Sequence, residues 1–248
     1  MKFYLGTHRP AWLGDERCAS IPLFVSRRTL TAKRLPRAVT SWSLDSGGFT
    51  ELNLHGAWKT TAAEYVADVR RFRDEIGRLD WAAPQDWMCE PIVLTKTGLT
   101  VEEHQRRTVR NFLELRALGP DLPIIPVLQG WSVTDYWRCE DMYRSAGVDL
   151  AAEPVVGVGT VCRRQGTVAG SLIMKSLATS GLKLHGFGFK TQGLKLCADA
   201  LVSADSLAWS YDARRGQRMP GHVGHAKCSN CLDYALMWRE CLALPEAA

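Results

Sequence analysis

Trp42-Ser43-Leu44-Asp45-Ser46-Gly47-Gly48-Phe49 reads as a short apolar strand that stops at a carboxylate and a pair of glycines. The same arrangement recurs along the chain. Leu79 to Ala83 runs into Pro84-Gln85-Asp86, Ile124 to Leu128 into Gln129-Gly130-Trp131, and Val155 to Val158 into Gly159-Thr160. Leu184 to Phe189 contains His185-Gly186-Phe187-Gly188, and Leu201 to Ala204 ends at Asp205-Ser206. Lys2 to Leu5, Leu23 to Ser26 and Ser41 to Asp45 complete the strand candidates. Several are short and apolar on both faces, which suits a parallel sheet covered by helices.

Between the strands, Tyr65, Val69, Phe72 and Ile76 step by four, three and four, which predicts one apolar stripe on a helix from about Thr60 to Gly77. Thr100-Val101-Glu102-Glu103 predicts a capping box, Thr100 capping and Glu103 reaching back, for a helix that ends near Leu118-Gly119-Pro120. Further helices fit Thr134 to Ala146, Gln165 to Ser180, Gln192 to Ala200 and Leu232 to Leu242. No linker, repeat or low-complexity tract interrupts the alternation, so 1–248 reads as a single domain. Such alternation suits a doubly wound open sheet or a barrel. No GxGxxG opens a helix after the first strand, and polar residues at the ends of many strands are how a barrel assembles a site. The expected fold is α/β, a single (β/α)8 TIM-like barrel with its polar strand ends on one rim.

The 248 residues are 46% apolar and 23% charged, enough to bury one substantial core. No apolar run reaches the roughly 18–20 residues of a membrane-spanning helix, and Met1-Lys2-Phe3-Tyr4-Leu5-Gly6 lacks a secretory stretch. The expected location is cytoplasmic, with no membrane partner. Lys and Arg number 31 against 26 Asp and Glu, a formal charge of +5 that leans toward a polyanionic partner. Among the 8 cysteines, Cys89, Cys139, Cys162 and Cys197 read as small buried hydrophobes, with Cys89 and Cys162 candidates to lie close to the rim.

Asp45 and Asp205 each leave an apolar strand where a side chain can enter the barrel mouth. One acid of such a pair can attack a sugar carbon while the other moves a proton, as in retaining glycosyl transfer. Either acid alone reads equally well as the cap of a following turn or helix. The glycine pairs would let backbone approach a planar ligand, and singly they are turn glycines.

A second signal lies in Gly221-His222-Val223-Gly224-His225-Ala226-Lys227-Cys228-Ser229-Asn230-Cys231, where two His and two Cys recur at every third residue. Cys228-x2-Cys231 suits a tetrahedral zinc site with His222 and His225 as companions, and Cys241 could replace one histidine. The alternative is a pair of free thiols opening the last helix. Lying beyond the last strand, a zinc in this carboxyl-terminal segment (219–243, with the terminal helix) would be structural.

Taken together, Leu44-Asp45-Ser46-Gly47-Gly48-Phe49, Val127-Leu128-Gln129-Gly130, Ala204-Asp205-Ser206-Leu207-Ala208-Trp209 and the later Cys-x2-Cys resemble the tRNA-guanine transglycosylases, zinc-bearing barrel enzymes that exchange guanine for a 7-deazaguanine. The chain is more similar to their DNA-acting relatives, the DpdA-type DNA-guanine transglycosylases of phage and bacterial 7-deazapurine modification. Gly6-Thr7-His8-Arg9-Pro10-Ala11-Trp12-Leu13, Ala83-Pro84-Gln85-Asp86-Trp87-Met88-Cys89-Glu90-Pro91, Gly159-Thr160-Val161-Cys162-Arg163-Arg164 and Leu184-His185-Gly186-Phe187-Gly188-Phe189-Lys190 carry that likeness. It covers nearly the whole chain. The resemblance implies a pentosyltransferase that swaps guanine in DNA for 7-cyano-7-deazaguanine or a close relative. DNA and the free 7-deazaguanine base would be its partners, zinc its structural metal, and the cytoplasm that of the host if a phage encodes it.

By the same resemblance Asp205 matches the nucleophile that leaves a covalent glycosyl-enzyme, and Asp45 the acid that handles protons on the departing and incoming bases. Ser46 and Gly47 belong to that base-side motif. Gln129 and Gly130 match the part of the pocket that bonds the purine edge, Gly157 and Gly159 the loop whose backbone meets the base, Phe49 a stacking surface and Asp86 the base-reading acid. Arg163, Arg164, Lys190, Arg214, Arg215 and Arg218 are candidates to hold phosphates around the mouth. The tRNA enzymes carry Cys-x-Cys-x2-Cys and a distant His; here Ala226 stands at the first Cys, so His222 or His225 would have to compensate. No carboxyl-terminal RNA-binding domain is expected after Cys241, which disfavours tRNA. A tRNA-guanine transglycosylase and a non-catalytic nucleic-acid-binding barrel remain the alternatives, and a homodimer or an accessory subunit stays open.

Overall fold

Short apolar runs do form strands, and they pair side by side in parallel: β1 (Lys2–Thr7), β2 (Leu23–Ser26), β3 (Trp42–Asp45), β4 (Leu79–Ala82), β5 (Val127–Leu128), β6 (Val156–Val158), β7 (Leu184–Gly186) and β8 (Ser203–Ser206). The structure is a computed structural model and describes residues 1–242; residue 243, the end of the expected zinc-binding segment, lies outside them. The sheet order is β4-β3-β2-β1-β8-β7-β6-β5. Its two ends meet where the Ala82 N–H donates to the Pro123 carbonyl (2.9 Å) and the Ile125 N–H donates to the Ala82 carbonyl (3.1 Å). The sheet therefore curls into the expected α/β barrel, held along this seam by one bridge. Pro123 and Pro126 bring no N–H to the ladder, which is why the expected strand from Ile124 shrinks to Val127–Leu128.

Helices cover the outside: α1 (Gly48–His55), α2 (Ala62–Ile76), α3 (Pro91–Thr97), α4 (Val101–Leu118), α5 (Val133–Ser145), α6 (Val168–Ala178), α7 (Thr191–Cys197), α8 (Ala208–Arg215) and α9 (Leu232–Glu240). After β1 and β2 the chain makes only short 3-10 turns, in stretches without a helical apolar period. On α2 the apolar stripe is buried as its spacing requires, at Tyr65, Val69, Phe72 and Ile76. Thr100 caps α4 by accepting from the Glu103 N–H, but Glu103 does not reach back, because its carboxylate is taken by Arg106 and Arg107. Reciprocal boxes form instead at Thr61/Glu64 and Ser132/Asp135.

Two apolar layers result. Between sheet and helices lies the main core, with Leu5, Trp42, Tyr65, Phe112, Tyr143 and Trp209 fully buried. Inside the barrel, Tyr4, Phe24, Trp81, Ala83 and Ile125 form a second cluster against Val155 and Phe187. Its rings pack edge to face or tilted at 5.6–5.7 Å, filling the lower barrel so that the space left for a ligand opens only at the carboxyl ends of the strands.

Candidate active site

That space is a cavity of about 890 Å3, within the range of small-molecule sites. Asp45, Asp86 and Asp205 line it together with Ser46, Phe49, Gly159, Arg163 and Lys190. Each acid comes from a strand end: Asp45 closes β3, Asp86 follows β4 and Asp205 lies in β8. The barrel thus gathers residues 160 positions apart in sequence, from Asp45 to Asp205.

The three carboxylates are held differently. Asp205 Oδ1 accepts the Gly188 N–H at 2.9 Å and sits 3.3 Å from His185 Nε2, while Oδ2 has no hydrogen-bond partner among the described residues. His185 is fully buried in the apolar floor, and its Nδ1 lies 2.9 Å from Ser203 Oγ. In the tautomer whose Nδ1 accepts from Ser203, the Nε2–H faces the aspartate. Asp205 is therefore not a helix cap; Ser206 Oγ, beside it, accepts the first N–H of α8 from Ala208. Asp45 accepts the Gly47 N–H at 3.1 Å, with the Ser26 hydroxyl a second donor that favours its charged form. Burial pushes its carboxyl above the ordinary aspartate value, against the pull of those two donors, and the charge of Asp205 adds to the rise. Asp86 accepts from Gln129 Nε2 at 2.5 Å and from Ser46 Oγ at 3.3 Å, and burial with the Asp45 charge beside it pushes its carboxyl up to about 7.

Not every expected base contact faces the cavity. Gln129 lies beneath it, bridging Asp86 and the Thr160 hydroxyl, which donates to its Oε1 at 2.6 Å. Gly159 is needed for that bridge, since a Cβ there would stand 2.2 Å from Gln129 Nε2. Gly47, at φ +79°, turns the chain and aims its N–H at Asp45. Gly130 and Gly157 are placed elsewhere: an added Cβ would meet Asp135 and Tyr136 of α5 at Gly130, and Phe187 and Val127 in the barrel floor at Gly157. Both are packing glycines. One face of Phe49 is covered by the Arg163 guanidinium, 4.9 Å from the ring centre. Arg163 and Lys190 line the cavity, Arg164 lies over Trp131, and Arg214, Arg215 and Arg218 sit on or just after α8. Cys89, Cys139 and Cys197 are buried, whereas Cys162 is exposed and not a buried hydrophobe, and it lines the cavity near which it was expected to lie.

Sequence reasoning passed over His8, Glu90 and His185 as functional groups, and took Thr160 only as the end of the 157–160 loop whose backbone would meet the base. His185 carried a signal, a titratable residue inside an apolar strand. Thr160 carried none, because its left-handed φ of +57° appears only in the fold; there its hydroxyl also accepts the Cys89 N–H at 2.8 Å. Glu90 faces the cavity with its carboxyl raised by burial.

The ligand atoms of His222, His225, Cys228 and Cys231 all lie within 4.8 Å of one another, so this group could hold a metal ion. Bonds of about 2.0 Å to nitrogen and 2.3 Å to sulfur put neighbouring ligands of a tetrahedral zinc about 3.6 Å apart. The separations are 3.2 Å for His225 Nε2 to Cys228 Sγ, 3.7 Å for Cys228 Sγ to His222 Nδ1 and 3.4 Å for Cys231 Sγ to His222 Nδ1. Asp233 Oδ2 stands 3.8 Å from the far nitrogen of His222, the place of an orienting carboxylate. Cys241 is not in the group. The segment also braces the mouth: Ser210 Oγ donates to the Ser229 carbonyl (2.8 Å) between the two cysteines and lies 3.0 Å from Nε2 of the cavity residue His8.

An α/β barrel that collects buried acids at the carboxyl ends of its strands is built as an enzyme. The chain belongs to the DpdA family, DeoxyPurine in DNA protein A, which it matches over residues 1–247, and is an enzyme of DNA modification of that kind. No protein of curated function matches it. Among solved structures it is similar to the phosphoribosyl anthranilate isomerase of Thermus thermophilus, at 13% identity over 97% of this chain and 98% of that one, with a TM-score of 0.41. No helix among the described residues is long and apolar enough to cross a membrane.

Proposed function

We propose that the chain is a DNA-guanine transglycosylase, a pentosyltransferase that exchanges guanine in DNA for 7-cyano-7-deazaguanine or a close relative. The observation that carries this reading is the pair in the cavity: Asp205 with Oδ1 held and Oδ2 free, and Asp45 beside it with its carboxyl raised by burial. Asp205 Oδ2 attacks C1′ of the target deoxyribose as the bond to guanine N9 breaks, leaving a glycosyl ester. Asp45 gives its proton to the departing guanine. The incoming base then returns a proton to Asp45 as its N9 attacks C1′ and frees Asp205. Two inversions restore the original configuration at the sugar. Mass spectrometry of nucleosides from DNA and from tRNA, each incubated with the protein and 7-cyano-7-deazaguanine, tests this. The modified base is expected in deoxynucleosides; its appearance in tRNA alone, or in neither, would overturn the reading.

Asp86 supplies base recognition in this scheme. As a carboxylate it accepts both the N1–H and the amino group of guanine, which its protonated form cannot do. With its carboxyl raised to about 7, kcat/KM is expected to climb as pH rises through that value, by about tenfold per unit on the acid side. Asp86→Asn should lose both the limb and most of the activity. A wild-type profile flat between about pH 5.5 and 8 would remove Asp86 from the base edge.

The resident metal is proposed to be zinc, held by His222, His225, Cys228 and Cys231. Four protein ligands leave no open position, so its contribution is to crosslink the segment that backs α8 and the mouth. One zinc per chain is expected by atomic absorption. His222→Ala and His225→Ala should each lower that occupancy and the melting temperature, with Cys241→Ala unchanged; full occupancy in a histidine variant removes that residue as a ligand.

A further inference from the structure

Three aromatic rings stand around the mouth, each from a different strand end, and each carries a guanidinium. Phe49 follows β3, Trp131 follows β5 and Tyr211 lies on α8 after β8. The guanidinium carbons of Arg163, Arg164 and Arg215 lie 4.9, 4.2 and 5.3 Å from the centres of these three rings in turn. Arg164 also donates to the Trp131 carbonyl at 2.6 Å, which fixes that pair. Phe49 is half-buried, but Trp131 is 37% and Tyr211 53% exposed, although rings of this size usually stay covered.

The cations around these rings form no direct ion pair, although Glu90 of the cavity lies within electrostatic reach of Arg163 and Arg164. On the outer helices Arg70, Arg71, Arg73, Arg106, Arg107 and Arg144 all pair with carboxylates. Among the described residues Arg163, Arg164, Lys190, Arg214, Arg215 and Arg218 form no such pair. Free cations of this density suit phosphates, and exposed rings suit the faces of bases. A duplex turns its phosphates outward but keeps its base faces stacked inside; an unpaired strand offers both together.

We propose that the mouth binds single-stranded DNA, with the bases flanking the target stacked on Trp131 and Tyr211 and the phosphates on the unpaired cations. This rests on the reading that the cavity takes a guanine of DNA. The two rings serve as platforms that hold the strand and take no part in bond making. Strand separation must then precede recognition, so the protein acts on DNA already opened or opens it at the cost of unstacking.

Fluorescence anisotropy with a labelled oligonucleotide of about 15 nucleotides containing one guanine tests this, against the same sequence as a blunt duplex and with no free base present. Binding is thus read apart from exchange, and the outcome does not depend on whether transglycosylation occurs. The single strand should bind about tenfold more tightly than the duplex, and Trp131→Ala and Tyr211→Ala should each weaken single-strand binding about five- to tenfold with duplex binding unchanged. Arg215→Gln should weaken both and flatten the salt dependence. Circular dichroism on each variant secures that the fold is retained. Equal or tighter binding of the duplex, or unchanged single-strand affinity in the two ring variants, would overturn the proposal.

Discussion

Asp205→Ala is expected to lower base exchange by a factor on the order of 10³ or more and to abolish the covalent protein–DNA adduct that forms when guanine has left and no acceptor base is present. The size follows from the chemistry, because the variant keeps no oxygen where Asp205 Oδ2 stands to form the glycosyl ester. Asp45 accepts the Gly47 N–H on Oδ2 and serves as the proton donor, and Asp86, held by Gln129 and Ser46, faces the base edge. The substitution also strands the Gly188 N–H and His185 Nε2, so a loss of stability on the order of 1–3 kcal/mol should accompany it. Asp205→Asn keeps an acceptor for those donors and is the matched control: stable, yet equally unable to form the ester. A denaturing gel that resolves the DNA adduct reads the result directly. Near-normal exchange by Asp205→Ala would sink the assignment of the nucleophile.

For Asp45→Ala the expected loss is a factor on the order of 10² or more in the rate, with folding intact. Here the adduct should still form, slowly, since attack at the sugar remains possible and only the proton delivered to the departing base is missing. The pH dependence separates this role from a structural one. Burial and the Asp205 charge hold the Asp45 proton above the ordinary carboxylate range, so the wild-type rate depends on a group that loses its proton as pH rises. That falling limb should be present in the wild type and absent in Asp45→Ala, by single-turnover kinetics across pH. A variant that keeps the limb, or one that makes no adduct at all, would show that Asp45 does something other than donate the proton.

The parallel sheet was legible because parallel strands buried on both faces are short and apolar, as the runs at Leu23, Ser41, Val155 and Leu184 are, and the polar residues at many strand ends pointed to a barrel over an open sheet. The acid-bearing strand ends at Asp45 and Asp205 were legible for the converse reason, a charged residue directly after a buried run. Short helices at the mouth were not. Helices α1 and α3 are short and follow turns whose glycine, proline and polar residues serve the cavity, so they show little apolar period of their own.

What the order of residues determined was which side chains are candidates for chemistry: two acids at strand ends, a third after β4, and a His/His/Cys/Cys run spaced closely enough that it could meet around one ion without help from distant parts of the chain. What folding decided was their state and company. Asp86 is lifted to about 7 only because burial and the Asp45 charge reach it from another strand. His185 becomes the support of Asp205 only when β7 and β8 lie side by side. Gly130 and Gly157, alike in sequence to the glycines of the cavity, turn out to accommodate α5 and Phe187. Local spacing can specify a ligand set or a cap, whereas solvation and long-range contact depend on the whole packed chain, and it is these that set the protonation and aim of a buried group.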